Sequence, residues 1–395
     1  MMQGIPRISV NPAAPEQLSV ERTLHLVWRW LKYSGIHPNL LMISAQQRSI
    51  SDILRWLFTL IALLLVLVLF VLQSLQLIIE SWNVQNMVDI VPNVLLTLPL
   101  LFNLFSQFHL WSRRHQIKQF FEDWKVIERQ MNCFESSNLK RDINSKFIIF
   151  YLIKFVIVLL LILWNWMDPE RSFFMTYYVS IRETFGVLPI SVAASIISGF
   201  NIIFYIINLT IPMISFYVIA RYVENLGEEW ESSSKNERLF RVIWQRYESI
   251  LHLVDRANEL YGTVINELFL YSVLVCIMTL FYALKEFQQS FRIFLSVFTL
   301  FIYGIQNTVS LNQFLSRLYF SKDKLQKSIA DHLSLKWYDL NENDRQLLVT
   351  FLTRLGKDDI CVRPMKLYSI NPSNLLSISA LMINYYIVLA QYNHN

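Results

Sequence analysis

One uncharged stretch constrains the fold of this 395-residue chain more than any other feature. Residues 56–79 contain no charged side chain and are almost wholly apolar. At about 1.5 Å per residue, a helix of this length crosses the roughly 30 Å hydrocarbon layer of a bilayer. Only 16% of all residues are charged, whereas soluble domains carry about 25%. The sequence therefore predicts an all-α membrane protein.

Six further apolar stretches are long enough to cross a bilayer. They are residues 90–111, 147–165, 199–220, 264–283, 292–311 and 375–392. Residues 173–198 are also apolar, but Arg182 and Glu183 lie at their centre. Each central charge costs roughly 2.5–3.5 kcal/mol on insertion. We therefore predict seven transmembrane helices and interpret residues 173–198 as an extracellular segment packed on the bundle.

The distribution of basic residues predicts the orientation. Of the 35 Lys and Arg residues, 30 fall in segments on the N-terminal side of the membrane and four on the opposite side. The positive-inside rule then places the N-terminus in the cytoplasm and the C-terminus outside. The remaining cation, Lys154, lies inside the third span, and we expect its long side chain to snorkel to the interface.

The motifs of common enzymes are absent from the sequence. It has no phosphate-binding loop, no nucleophile elbow and no Cys/His spacing typical of a metal site. Its three cysteines lie in predicted cytoplasmic segments or in the fifth span, where no extracellular disulfide forms. We therefore expect no enzymatic activity, no catalytic residue, no metal, no cofactor and no nucleic-acid partner.

The predicted cytoplasmic segments contain helical patterns of their own. Residues 18–33 predict an interfacial helix, residues 315–333 a further helix, and residues 344–355 an amphipathic helix with Asn343 as N-cap and Gly356 just after its end. Before the fifth span, apolar residues alternate at spacings of four and three, which predicts one long helix. This seam consists of Ile243, Tyr247, Ile250, Val254, Ala257, Tyr261 and Val264. Such stripes either form a platform where subunits meet, or they pack against their own chain or lie on the bilayer.

The end of the seventh span carries a short motif. Asn384 and Tyr385 are followed by five mainly apolar residues and then by Gln391 and Tyr392. This resembles the C-terminal signature of insect gustatory receptors, which is Thr-Tyr, five apolar residues and Gln-Phe. Asn384 replaces the Thr and Tyr392 replaces the Phe. The preceding residues 369–376 are similar to the lead-in of that family, and chain length, seven spans and orientation agree with it.

The resemblance implies a tetrameric ligand-gated cation channel in the plasma membrane of chemosensory neurons. The seventh helix would line the pore, and Asn384, Val388 and Gln391 share one helical face at spacings of four and three. We expect these three residues and Tyr392 to line the pore, and Tyr385 to bond neighbouring helices. The implied partners are a small-molecule tastant, membrane lipids, permeating cations and identical or related subunits.

The predicted spans, together with the roles that the resemblance implies, divide the chain into four regions. These are a cytoplasmic segment (1–55), six transmembrane helices with cytoplasmic extensions (56–311), cytoplasmic anchor helices (312–371) and the pore-lining helix (372–395). The ligand would bind in the outer half of spans two to six. Candidate ligand-binding residues there are Trp164, Asn165, Trp166, Asn201, Tyr205 and Tyr282, although an interfacial aromatic belt explains them equally well. Tyr386 stands where sweet-sensing members carry Glu, which disfavours a sugar.

Two alternatives remain. An odorant receptor of the sister family has the same architecture, and residues 337–340 fit it, but the Gln391-Tyr392 ending argues against it. A seven-helix G-protein-coupled receptor needs an extracellular N-terminus and usually an extracellular disulfide, and the sequence predicts neither.

Overall fold

A computed structural model describes seven continuous parts of the chain. They are residues 91–131, 149–157, 187–232, 237–287, 291–336, 341–357 and 360–392, with scattered positions in 57–78, around 149–157 and at Tyr338. The helices are α1 (Val91–Ser112), α2 (Arg114–Met131), α3 (Val187–Ser232), α4 (Glu237–Phe287), α5 (Phe291–Lys336), α6 (Glu342–Lys357) and α7 (Ser373–Tyr392), with a 3-10 turn at Pro364–Lys366. These described parts contain no β-strand, and the all-α class is confirmed.

Three helices are much longer than a bilayer is thick. α3, α4 and α5 contain 46, 51 and 46 residues, which corresponds to about 70–77 Å each. The predicted continuity of the fifth span with its cytoplasmic helix is confirmed in α4. The helix predicted at 315–333 is not separate, because it continues the sixth span within α5. Residues 187–198 also differ from the prediction. They were interpreted as part of the extracellular segment 173–198, but they form the beginning of α3 and so extend the fourth span.

The seam of α4 packs against its own chain. All seven seam residues are buried within the subunit, and α4 contacts α1, α2, α3, α5 and α7. The charges beside the seam connect α4 to different helices: Arg246 pairs with Glu229 on α3, and Arg354 on α6 pairs with Glu248. Of the two interpretations of this stripe, packing within the subunit is therefore confirmed. Any contact between subunits must use other faces.

The ends of α6 differ from the prediction. The helix begins at Glu342, and the Asn341 side-chain oxygen accepts a hydrogen bond from the Asp344 backbone N–H at 2.8 Å. Asn341 is thus the N-cap, and the prediction of Asn343 was wrong by two residues. Gly356 lies inside the helix, which ends at Lys357. The apolar face is as predicted, because Leu348, Phe351 and Leu355 are buried.

Apolar surface is widely exposed along the predicted spans. Described residues of the first span expose nine large apolar side chains, among them Leu64 and Ile78. In the third span Leu152 and Phe155 are exposed, whereas Phe150 and Ile157 face the bundle. Water would disfavour such a surface, and lipid would not. By length and composition alone, one helix among the described residues qualifies as a span, the Arg241–Tyr282 part of α4, and α7 contains a shorter apolar helix, Leu376–Val388.

Candidate functional site

Helix α7 lies at the edge of the bundle, with one side against its own subunit. Its half-buried positions recur every four residues, at Asn374, Ile378, Met382 and Tyr386. Ile378 packs against the hydrophobic core, and the helix contacts α4 and α5. These four positions define the side of α7 that faces the bundle.

The predicted pore residues lie away from that side. Asn384, Val388 and Gln391 are all exposed in the isolated subunit. At 3.6 residues per turn, Asn384 lies almost opposite Met382 on the helix. Two amides therefore project from a mainly apolar helix into space that the subunit itself leaves open. Tyr385, on the flank, is also exposed, and Tyr392 is the last residue of α7.

The structure brings polar side chains together inside the bundle. Lys154 is fully buried, and its ammonium donates a hydrogen bond to the Asn307 side-chain oxygen on α5. The ammonium also lies 4.9 Å from the ring centroid of Phe150 and 4.6 Å from that of Tyr303. The expectation that Lys154 snorkels to the interface was wrong, because the side chain points between helices rather than along the lipid surface.

A second polar group lies where α1, α3 and α4 meet. Glu267 is 8% exposed and accepts a hydrogen bond from the Ser106 hydroxyl at 2.9 Å. The next residue on α1, Gln107, donates to the Asn208 side-chain oxygen on α3 at 2.8 Å. Buried hydrogen bonds of this kind fix the orientation of packed membrane helices. The sequence does not show this pairing, because Ser106 and Glu267 are 161 positions apart.

The predicted ligand-binding residues are only partly covered by the structure. Trp164, Asn165 and Trp166 lie outside the described residues. Asn201 and Tyr205 lie on α3, but their side chains are not among those described. Tyr282 is buried near the end of α4 and belongs to the core. The geometry therefore does not test whether these six residues form one pocket.

The helix ends that the predicted orientation places in the cytoplasm form a well-packed unit. We call it the anchor, and it consists of α2, α6 and the parts of α3, α4 and α5 beyond the spans. It contains an aromatic cluster in which the Trp124 indole donates to the Tyr222 hydroxyl at 2.7 Å, and Phe120 contacts Trp124 and Tyr261 edge to face. Buried, hydrogen-bonded aromatic pairs of this kind contribute strongly to packing. The anchor is therefore densely packed around buried aromatic side chains.

One ion-pair network joins α3 to α5 within the anchor. Arg317 binds both carboxylate oxygens of Glu224, through Nε at 2.9 Å and Nη2 at 3.0 Å. Arg221 and Ser321 also donate to this carboxylate. Burial alone would raise the pKa of Glu224, but the bonds and charges of Arg317 and Arg221 outweigh it and hold the pKa below its ordinary value. The sequence contains a signal for this pair, because Glu224 closely follows the fourth predicted span and Arg317 closely follows the sixth.

Comparison with known proteins gives both a family and a fold. Residues 24–394 match the family described as 7tm chemosensory receptor. No curated protein matches the chain. The insect olfactory receptor OR5 from Machilis hrabei has a similar structure, with a TM-score of 0.70 and 13% identity over 94% of this chain and 98% of that one. The same receptor in complex with eugenol gives a TM-score of 0.66 and 12% identity over the same shares.

Proposed function

Because the chain belongs to the 7tm chemosensory receptor family, and is therefore a membrane receptor rather than an enzyme, we propose that it is a gustatory receptor acting as a ligand-gated cation channel. Four copies assemble around an axis lined by α7. The observation that carries this proposal is the pair of exposed amides, Asn384 and Gln391, on the side of α7 that is turned away from its own bundle. Amides on such a face are costly in lipid and stable in a hydrated pore.

The proposed pore has two rings. Gln391 lies near the outer end of α7 and would present four neutral amides, which pass cations without binding them tightly. Val388 lies about one turn deeper and would form an apolar ring, which closes the pore to water when it is narrow. Asn384 lies one turn further in. The assignment to the gustatory group rests on the spacing of Tyr385 and Gln391.

Expression in cells without other receptors tests the channel. A panel of small molecules applied during calcium imaging identifies a ligand, and whole-cell recording then measures ion selectivity. We expect a non-selective cation current, with permeability ratios that change in Gln391→Ala. Ile383→Ala, on the exposed flank of the same helix, is the matched control. Unchanged ratios in Gln391→Ala would remove Gln391 from the pore, and a chain that never conducts would overturn the channel itself.

The ligand is proposed to be a small organic molecule held in the outer half of spans two to six. A receptor of similar structure has been solved with eugenol, and aromatic and amide side chains suit ligands of that kind. The proposed contacts are Trp164, Asn165, Trp166, Asn201, Tyr205 and Tyr282. Tyr282→Phe keeps the buried ring and removes the hydroxyl, so it should weaken responses to ligands that accept a hydrogen bond. An unchanged half-maximal concentration for every ligand would exclude the Tyr282 hydroxyl.

The proposed orientation has a cytoplasmic N-terminus and an extracellular C-terminus. It is supported by the 30 of 35 basic residues on one side. Epitope tags at each terminus, stained in intact and in permeabilised cells, test it. Staining of an N-terminal tag in intact cells would favour a G-protein-coupled receptor instead.

A further inference from the structure

The chain that connects α6 to α7 is packed against the anchor. Within it Ile360, Val362 and Ile370 are fully buried, and the Ile370 backbone N–H donates to the Val362 carbonyl at 2.8 Å. A flexible tether would leave these apolar side chains in water. The connection to the proposed pore helix therefore has a defined conformation.

Asn258 on α4 holds this connection by its backbone. The Asn258 side-chain N–H donates to the Cys361 carbonyl at 2.9 Å, and its side-chain oxygen accepts from the Arg363 backbone N–H at 2.8 Å. Both arms of one amide thus bind the two peptide groups that flank Val362. Only a side chain with a donor and an acceptor at this separation can do so.

Gly262, one turn further along α4, brings the two backbones into contact. A Cβ atom at this position would lie 3.0 Å from the Met365 nitrogen and 3.3 Å from the Arg363 carbonyl oxygen. The turn that approaches Gly262 has Met365 and Lys366 at φ of 51° and 61°, a left-handed conformation that costs side-chain-bearing residues energy. The surrounding contacts must therefore hold the turn in place.

Asn266, a further turn along, completes the row. Its side-chain N–H contacts the Met365 sulfur at 3.6 Å, and its oxygen accepts from the Tyr368 hydroxyl at 3.3 Å. Positions 258, 262 and 266 share one face of α4 because they are four residues apart. We call this face the linker track. The chain runs on from the turn to α7, which begins at Ser373. At this start Asn371 and Asn374 cap each other's backbone N–H groups at 3.2 and 3.1 Å.

We propose that the linker track is a fixed mount for the cytoplasmic end of the pore helix. Through it, Asn258, Gly262 and Asn266 act as positioning residues that make α7 follow α4 when ligand binding shifts the spans. This inference rests on the proposed channel function. The turn stays bound to α4 in both the closed and the open state. The gate opens when the part of α7 that follows Asn374 moves.

Two graded substitutions test the mount. Gly262→Ala pushes the turn off α4, and Gly227→Ala is its matched control, because a Cβ there meets only the Leu325 side chain at 3.8 Å. Asn258→Ala removes both backbone bonds, whereas Asn258→Asp keeps the acceptor and loses the donor. At equal surface density, we expect Gly262→Ala and Asn258→Ala to change the half-maximal ligand concentration by about fivefold or more, with Asn258→Asp between them and wild type.

A chemical crosslink separates a fixed mount from a latch that releases. Asn266→Cys and Met365→Cys, joined by a short crosslinker that forms a reducible disulfide with each thiol, should leave more than half of the ligand-evoked current. Loss of current on crosslinking that returns on reduction would overturn the proposal, as would wild-type responses in both Gly262→Ala and Asn258→Ala. A wild-type chain without any ligand-evoked current overturns the proposed function instead, so the two failures are distinguishable.

Discussion

A buried lysine is the most unusual residue of the bundle. Lys154 has no exposed surface, and its ammonium is held by the Asn307 amide and two aromatic rings. Aromatic faces and an amide oxygen offset part of the cost of removing the charge from water. Such a group is stable only while these partners stay in place. Lys154 and Asn307 thus tie the third span to α5.

Removal of one member of this pair should cost more than removal of both. Asn307→Leu leaves the Lys154 ammonium without its amide acceptor, and we expect a loss of about 1.5–3 kcal/mol in unfolding free energy. Lys154→Met combined with Asn307→Leu should recover much of it, because both positions are then apolar. The stability of each variant relative to wild type is measured by thermal denaturation of the detergent-purified protein, with the remaining folded protein quantified by size-exclusion chromatography. A double variant no more stable than Asn307→Leu would contradict the coupling.

Glu224 should make the anchor sensitive to acid. Its pKa lies below the ordinary 4.5 in the folded chain, so its contribution to stability is complete above pH 4.5 and is lost as the pH falls through the folded pKa. We expect Glu224→Gln to lower stability at neutral pH and to flatten the loss in acid. Glu342→Gln, in the exposed pair with Arg345, is the control. Equal acid sensitivity of wild type and Glu224→Gln would contradict this prediction.

At the scale of elements, periodic features could be predicted from the sequence. The seam from Ile243 to Val264 follows a helical repeat, so the long α4 could be foreseen. The cap of α6 could not, because Asn341 and Asn343 are both good N-caps and the choice depends on where the chain arrives from α5. Lys154 was misplaced because a sequence does not show which face of a span meets lipid. The linker track has no local sequence signal, because Asn258, Gly262 and Asn266 contact groups about a hundred positions further along the chain.

Val388 is the element-scale test of gating. If four Val388 side chains form the dewetted ring on α7, a small polar side chain there should hydrate the closed pore. We expect Val388→Ser to conduct without ligand, with a basal current several-fold above wild type at equal surface density. Ile383→Ser, also exposed but on the flank of the helix, should stay closed. A basal current that rises equally in both variants would place the gate elsewhere.

For the whole molecule, the two ends of the bundle contrast. The spans expose broad apolar faces, while six of the eight largest fully buried aromatic side chains among the described residues, including Trp124, Tyr247 and Phe351, lie in the anchor. Lipid offers little hydrophobic driving force for contact between subunits, because lipid tails are as apolar as the side chains. In water, the full hydrophobic effect favours such contact. The anchor is therefore the part of the chain where contact between subunits would contribute most to assembly.

Exposed apolar residues of the anchor indicate where those contacts lie. Tyr319 and Phe320 on α5 and Val349 on α6 are 39%, 54% and 42% exposed in the isolated subunit, on segments that the predicted orientation places in water. Such side chains are typical of the centres of protein interfaces. We expect Phe320→Glu to convert a tetramer into smaller species, as measured by mass photometry of the purified protein. Lys322→Glu, on roughly the opposite side of α5, should remain tetrameric. A Phe320→Glu variant that stays tetrameric would show that this surface is not a subunit contact, and the assembly would then depend on the exposed flanks of α7.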